Sequence, residues 1–106
     1  MAGKLHHVAV NSANFEQTVR FFQEVFQMEI SRVRGDAPNR QLWFQQGIQV
    51  NEMSEAPAAP GIADHIGMAV TNKEEVLRTV PAYGCKIFSD KPHWFTTPDG
   101  IVIEIK

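Results

Sequence analysis

The chain begins the same way twice. His7 heads the apolar run Val8, Ala9 and Val10, and His65 heads Ile66, Gly67, Met68, Ala69 and Val70. Seven residues beyond each histidine stands an asparagine, Asn14 and Asn72, followed by Glu16 and Glu74 and then by a helical pattern. A supersecondary unit that recurs in a short chain restricts the folds open to it, because each copy must bury the same faces in the same way. The recurrence also puts two histidines in equivalent positions.

With 106 residues there is material for one compact domain and not for two independent ones. The expected organisation is a first module at about 1–53, a linker at 54–63, rich in alanine and proline and without periodicity, and a second module at about 64–106. In the first, Leu5–Val10 reads as a strand. Asn14 reads as a helix N-cap, with Gln17 three residues on completing a capping box. Phe15, Val19, Phe22 and Phe26 then fall at helical spacing, with Val25 beside them, to about Gln27. Strands follow near Glu29–Arg34 and Arg40–Gln45, separated by the turn residues Gly35, Asp36, Pro38 and Asn39, and Gly47 precedes a further strand, Ile48–Met53. In the second module, His65–Val70 is a strand and Asn72 with Glu75 opens a helix. Val76, Leu77, Val80 and Tyr83 form its apolar side, Pro81 shortens or kinks it, and Gly84 ends it. Cys85–Ser89, His93–Thr97 and Ile101–Lys106 are strands, with Pro98-Asp99-Gly100 as the last turn. The order strand, helix, strand, strand, strand thus occurs twice, which is an α+β fold of two βαβββ modules.

Strand side chains alternate between faces. Val8 and Val10, then Ile66, Met68 and Val70, then Ile101, Ile103 and Ile105, then Ile48 and Val50 give each strand an aliphatic face suited to packing on helices. The opposite face carries His7, His65, Glu104, Gln49 and Asn51, with the small residues Ala9, Gly67 and Ala69 leaving room beside the histidines. Isolated ligand-type side chains on an otherwise open face suggest a concave functional side.

Composition excludes several classes of partner. A net charge of −2, with acids and bases interspersed, favours neither nucleic acid nor an anionic membrane. The single cysteine, Cys85, makes no internal disulfide, and the start, MAGKLHHVAV, lacks a signal-peptide core. No apolar run is long enough to span a bilayer. A cytoplasmic protein is therefore expected. Taken singly, His6 is an edge residue, Phe15, Phe21, Phe22 and Phe26 are core, with Phe21 a candidate for a subunit interface, and Cys85 is a buried inert thiol. Trp43, Trp94 and His93 are candidate cavity-lining residues.

These features resemble the vicinal oxygen chelate superfamily, which contains glyoxalase I, fosfomycin resistance proteins, methylmalonyl-CoA epimerase, extradiol dioxygenases and bleomycin resistance proteins. The resemblance spans nearly the whole chain. It rests on Leu5-His6-His7-Val8-Ala9-Val10, on Asn14 to Phe22, on His65-Ile66-Gly67-Met68-Ala69-Val70, and on Thr97-Pro98-Asp99-Gly100 followed by Glu104. It implies a cup-shaped mixed sheet with helices on the outer face and a divalent metal held by His7, His65 and Glu104. A fourth ligand or substrate contact falls at Gln49 or Asn51. Counting from Gly47 and Gly100 selects Asn51, whereas matching Ile48-Gln49-Val50 to Ile103-Glu104-Ile105 selects Gln49. Neither is a carboxylate, so the two-glutamate arrangement of glyoxalase I is absent, and Thr97 stands where the family's last turn usually has aspartate.

Two imidazoles and a carboxylate suit Zn, Mn, Ni or Fe(II) and leave positions open for substrate. Such a metal polarises a carbonyl or epoxide oxygen or stabilises an enediolate. Proton transfer also needs a base, for which Glu104 is the first candidate. His93, Lys91, Arg32 and Arg34 are further polar candidates, the arginines for an anionic substrate. The leading expectation is a glyoxalase-like metalloenzyme, a lyase, isomerase or thiol transferase, acting on a small oxygen-rich or electrophilic molecule. The alternatives are a metal-free sequestering protein of the bleomycin-resistance type, a dioxygenase, or a structural or regulatory dimer with a vestigial site. Exposed sheet edges in each module favour a homodimer.

Overall fold

The computed structural model describes residues 5–55 and 63–106. The chain divides into two compact units, Met1–Ala56 and Pro57–Lys106. Most of the expected linker lies outside the described residues.

The first unit contains β1 (Val8–Ser12), α1 (Phe15–Val25), β2 (Ile30–Arg34), β3 (Gln41–Phe44) and β4 (Ile48–Glu52). Its sheet has the order β1-β4-β3-β2, with β1 parallel to β4 and the other neighbours antiparallel. The helix forms where the apolar spacing places it. Phe15, Thr18, Val19, Phe21 and Phe22 are buried along one side. Leu42, Phe44, Ile48 and Val50 are buried in the sheet, and the Phe22 and Phe44 rings lie 5.8 Å apart across the layer.

Three local expectations need correction. Asn14 is the N-cap of α1, but its side chain makes no cap hydrogen bond. The turn is tied by Ser12 instead: its Oγ accepts the Asn14 N–H at 3.1 Å and donates to Thr18 Oγ1 at 3.0 Å. The helix ends at Val25, short of Gln27, because Gln27 takes a left-handed φ of 54° that no helix interior holds. Phe21 is only 1% exposed and packs edge-on against Phe22 and Phe26, so it is spent on this chain's own core and not on a subunit interface.

The second unit contains β5 (Ile66–Met68), α2 (Lys73–Thr79), a 3₁₀ turn (Val80–Tyr83), β6 (Lys86–Ile87), β7 (Trp94–Thr96) and β8 (Val102–Ile105). Its sheet order is β5-β8-β7-β6, with β5 parallel to β8. Element for element, it repeats the first. Pro81 acts as expected: lacking an N–H, it sits at the start of the 3₁₀ turn, where α2 has already stopped. Gly84, at φ 81°, closes that turn through its N–H to the Pro81 carbonyl. Asn72 is the N-cap of α2, again without a side-chain cap bond; its Nδ2 donates to Glu75 Oε2 at 2.5 Å. Val76, Val80, Phe95, Ile103 and Ile105 are the buried core. In the last turn Thr97 does what an aspartate would do: its Oγ1 accepts the Ile101 N–H at 3.2 Å.

Candidate metal and substrate site

Strand register aligns the two units residue by residue. In the first, Ala9 lies opposite Gln49, which lies opposite Trp43, which lies opposite Arg32. In the second, Gly67 lies opposite Glu104, which lies opposite Trp94. Each row therefore runs from a small residue two positions after the histidine, through a ligand-type side chain, to a tryptophan. The row next to Gln49 holds Asn11, Asn51, Gln41 and Arg34.

This register separates the two residues that sequence counting left open. Gln49, not Asn51, occupies the position equivalent to Glu104. Counting from the glycines misleads because β4 starts at Ile48, directly after Gly47, whereas β8 starts at Val102, two residues after Gly100. Gly47 closes a tight hairpin through its N–H to the Phe44 carbonyl, while the turn before β8 is stretched by the Thr97–Ile101 bonds.

In the second unit His65 and Glu104 face each other, Nε2 to Oε1 at 3.5 Å. The other ring nitrogen, Nδ1, is 2.7 Å from Asp64 Oδ2. With the Nδ1 proton donated to Asp64, Nε2 carries a lone pair and is aimed at a carboxylate oxygen that carries lone pairs too. Two such acceptors at this separation repel unless a cation or a proton lies between them. An imidazole whose far nitrogen is bonded to a carboxylate is the usual arrangement of a metal-bound histidine. The Trp94 ring stands edge-on to His65 at 4.5 Å and shields one side of it. Glu104 Oε2 is 3.5 Å from Lys106 Nζ, so the carboxylate is anchored on the side away from His65.

His7 and its neighbour His6 are exposed, with their Nδ1 atoms 2.9 Å apart. Gln49 Nε2 donates to Asn51 Oδ1 at 2.7 Å, and Asn51 Nδ2 donates to Asn11 Oδ1 at 3.3 Å. Arg32 lies over the Trp43 ring at 5.0 Å, and Lys91 over the Trp94 ring at 5.1 Å. Within either unit, among the described residues, no three His, Cys, Asp or Glu side chains converge on one point. The second unit by itself supplies two of the three expected ligands. His93 precedes β7, and its carbonyl accepts the Ile105 N–H, one residue out of phase with the Glu104–Trp94 pair.

Sequence reasoning passed over Asp64, Asn11, Gln41 and Lys106. An acid immediately before a candidate ligand histidine was the available signal for Asp64. Asn11 and Gln41 carry no signal apart from their register with Asn51. The ionisable groups with clear perturbations, Arg40, Glu52 and Cys85, are structural. The Glu52 carboxylate is clamped by Arg40 through Nε and Nη2, both at 2.8 Å, and that hydrogen bonding lowers its pKa from 4.5 to about 2. Arg40 also lies over Phe15 at 4.6 Å and 3.5 Å from Glu16. Burial pushes the Cys85 thiol up to about 11, as befits an inert core cysteine.

The architecture has close counterparts among solved structures. Fosfomycin resistance protein FosX from Listeria monocytogenes superposes with a TM-score of 0.81 at 18% identity, over 99% of this chain and 91% of that one. FosX from Mesorhizobium loti gives 0.79 at 16% identity, over 99% and 91%. The trypanothione-dependent glyoxalase I of Leishmania major gives 0.75 at 13%, over 98% and 86%. The Listeria protein has also been solved with Mn(II) and sulfate, at a TM-score of 0.80, 20% identity, and coverage of 99% and 92%. At such identities the likeness establishes the fold. No curated protein matches in sequence. Residues 4–105 do match a described family, and the chain belongs to the glyoxalase/bleomycin resistance protein/dioxygenase superfamily.

Proposed function

We propose that the chain is a divalent-metal-dependent, glyoxalase-like enzyme, a lyase, isomerase or thiol transferase, acting on a small oxygen-rich or electrophilic molecule. The observation that carries this reading is the 3.5 Å opposition of His65 Nε2 and Glu104 Oε1, with the far side of the imidazole tied to Asp64. This donor set fits a Zn, Mn, Ni or Fe(II) ion, with His7 completing the ligand set. Mn(II) is favoured by its presence in the Listeria FosX relative. When bound, such an ion polarises a substrate oxygen and stabilises negative charge that develops on it.

The chain's own residues supply the rest. Asp64 orients the His65 ring through its contact with Nδ1. Trp94 keeps water from one side of that ring. Glu104 has one oxygen toward His65 and the other beside Lys106, and it serves as the base of a proton transfer only where the metal and Lys106 leave a lone pair open. Arg32 and Lys91, each poised over a tryptophan, favour a substrate bearing negative charge. A homodimer is the expected assembly. Among the described residues no helix is long and apolar enough to cross a membrane.

Metal analysis of the purified protein tests the proposal. Stoichiometric metal is expected in the wild type, with less than half of it left in His7→Ala, His65→Ala and Glu104→Ala. Retention of more than half in these variants would overturn the ligand assignment. A metal-free wild type that still binds small molecules would favour the sequestering alternative, to which the neutral Gln49 is better suited than a carboxylate.

A further inference from the structure

The first sheet ends at β2, an edge strand whose five residues are all exposed, Val33 at 54% and Ile30 at 39%. Such an edge offers a row of unpaired N–H and C=O groups to another strand. Register with β3 shows which way its side chains point. Ile30 and Val33 lie opposite the buried Phe44 and Leu42, so both belong to the helix side. Arg32 and Arg34 lie opposite Trp43 and Gln41, on the face that carries Gln49. Glu29 comes next to Ile30 and accepts the Gln45 N–H at 2.8 Å, which continues the ladder and puts its side chain on that same face. Neither Glu29 nor Arg34 has an ion-pair partner among the described residues.

Residues three apart on a regular strand point to opposite faces. Ile30 and Val33 share a face because the register shifts between Ile30 and Arg32, where Ser31 is the extra residue. The shift limits what can pair with this edge, since residues directly opposed across two strands must lie on one face. An antiparallel second copy of β2 meets that demand when Ile30 stands against Val33 of the copy. Glu29 then stands against Arg34 and Ser31 against Arg32, and each pair occurs twice about the symmetry axis. A slip of one residue either way sets Ile30 against Arg32 or Arg34, on opposite faces. Arg32, nearest the axis, is drawn back over its own sheet, 5.0 Å from the Trp43 ring. Bulges and charges ordinarily keep edge strands apart. Here they exclude a regular strand and fit a strand that carries the same bulge and the complementary charge.

We propose that β2 is the contact between two copies of this chain, joining their four-stranded first sheets edge to edge through Glu29–Arg34 and Ile30–Val33 pairs. The proposal rests on the homodimer expected above and supplies its surface. Sedimentation equilibrium of the full chain, in chelator so that metal plays no part, reads the dissociation constant. Glu29→Arg and Arg34→Glu each set like charges against one another at two places, and each should weaken the dimer by about 10-fold or more. The double variant exchanges the charges and should return to within about threefold of the wild type. Mixed together, the two single variants should form a heterodimer, because each supplies the charge that the other lacks. Val33→Lys should dissociate the dimer, and Ile87→Lys, on the edge strand of the second unit, should not. A wild-type dimer indifferent to Glu29→Arg, Arg34→Glu and Val33→Lys would overturn the β2 contact and leave the homodimer standing. A wild type that stays monomeric at every concentration would overturn both. Failure of the double variant and of the mixture to re-associate would overturn the register, since damage to the fold at either exposed site is not repaired by the other change.

Discussion

Gly67→Ala should make the protein more stable, and the structure gives both the sign and the size. Gly67 is the middle residue of β5, and its φ lies outside the left-handed region that favours glycine. A Cβ built on it meets nothing within 4 Å. Alanine therefore enters without strain, and its effect is on the unfolded chain, which has fewer conformations to lose. That is worth about 0.4–1 kcal/mol. For a protein of this size the gain corresponds to a rise in Tm of about 2–8 °C. Gly35→Ala is the opposite control. Its φ is +81°, and the new Cβ would stand 3.0 Å from the Asn39 carbonyl oxygen. The left-handed conformation alone costs about 1–2 kcal/mol, so Tm should fall. Both variants are to be melted by circular dichroism in chelator, which removes any stabilisation from bound metal. A Gly67→Ala protein that melts below the wild type would refute the reasoning, since the new Cβ meets open space on an unstrained backbone. The chain forgoes this stability at a position directly opposite Glu104, as expected where a face is kept open for a ligand. Gly67→Leu should accordingly remain folded while losing Mn(II) binding.

The remaining expectations concern the scaffold. Ile103→Ala, at a fully buried position on β8 between β5 and β7, should cost about 2–5 kcal/mol in urea unfolding, whereas Ile87→Ala, 40% exposed on β6, should cost far less. Thr97→Val keeps the shape but removes the acceptor for the Ile101 N–H, and a loss of about 1 kcal/mol is expected. Glu52 has a folded pKa near 2 against an ordinary 4.5, so its contribution is complete above pH 4.5 and is lost as pH falls toward 2. The difference in urea midpoint between wild type and Glu52→Gln should be flat above about pH 5 and shrink below it; a constant difference down to pH 2 would show that the Arg40 clamp does not hold in solution.

The duplicated opening, the helix spacing of Phe15, Val19 and Phe22, and the period-2 alternation of Ile48–Val50 and Ile103–Ile105 were legible from the chain, because each is a local demand for burial on one face. So was the side of the sheet on which Gln49 and Glu104 lie. The helix entries were only half legible. Asparagine marked both N-caps, but the bonds that tie the first go through Ser12, two residues outside the capping pattern.

What the sequence by itself determined is the architecture and the parity of its strands: two βαβββ units, each with an oily face and a face carrying ligand-type side chains. Local periodicity suffices for that, since a one-residue slip would turn every strand over. What only the tertiary structure decided is pairing. Gln49 rather than Asn51 matches Glu104 because β4 starts sooner after its glycine than β8 does. Glu104 comes to face His65, and Asn11 and Gln41 meet at Asn51, because chain segments apart in sequence come together in register. Alternation along one strand carries no information about which residue of another will lie across from it.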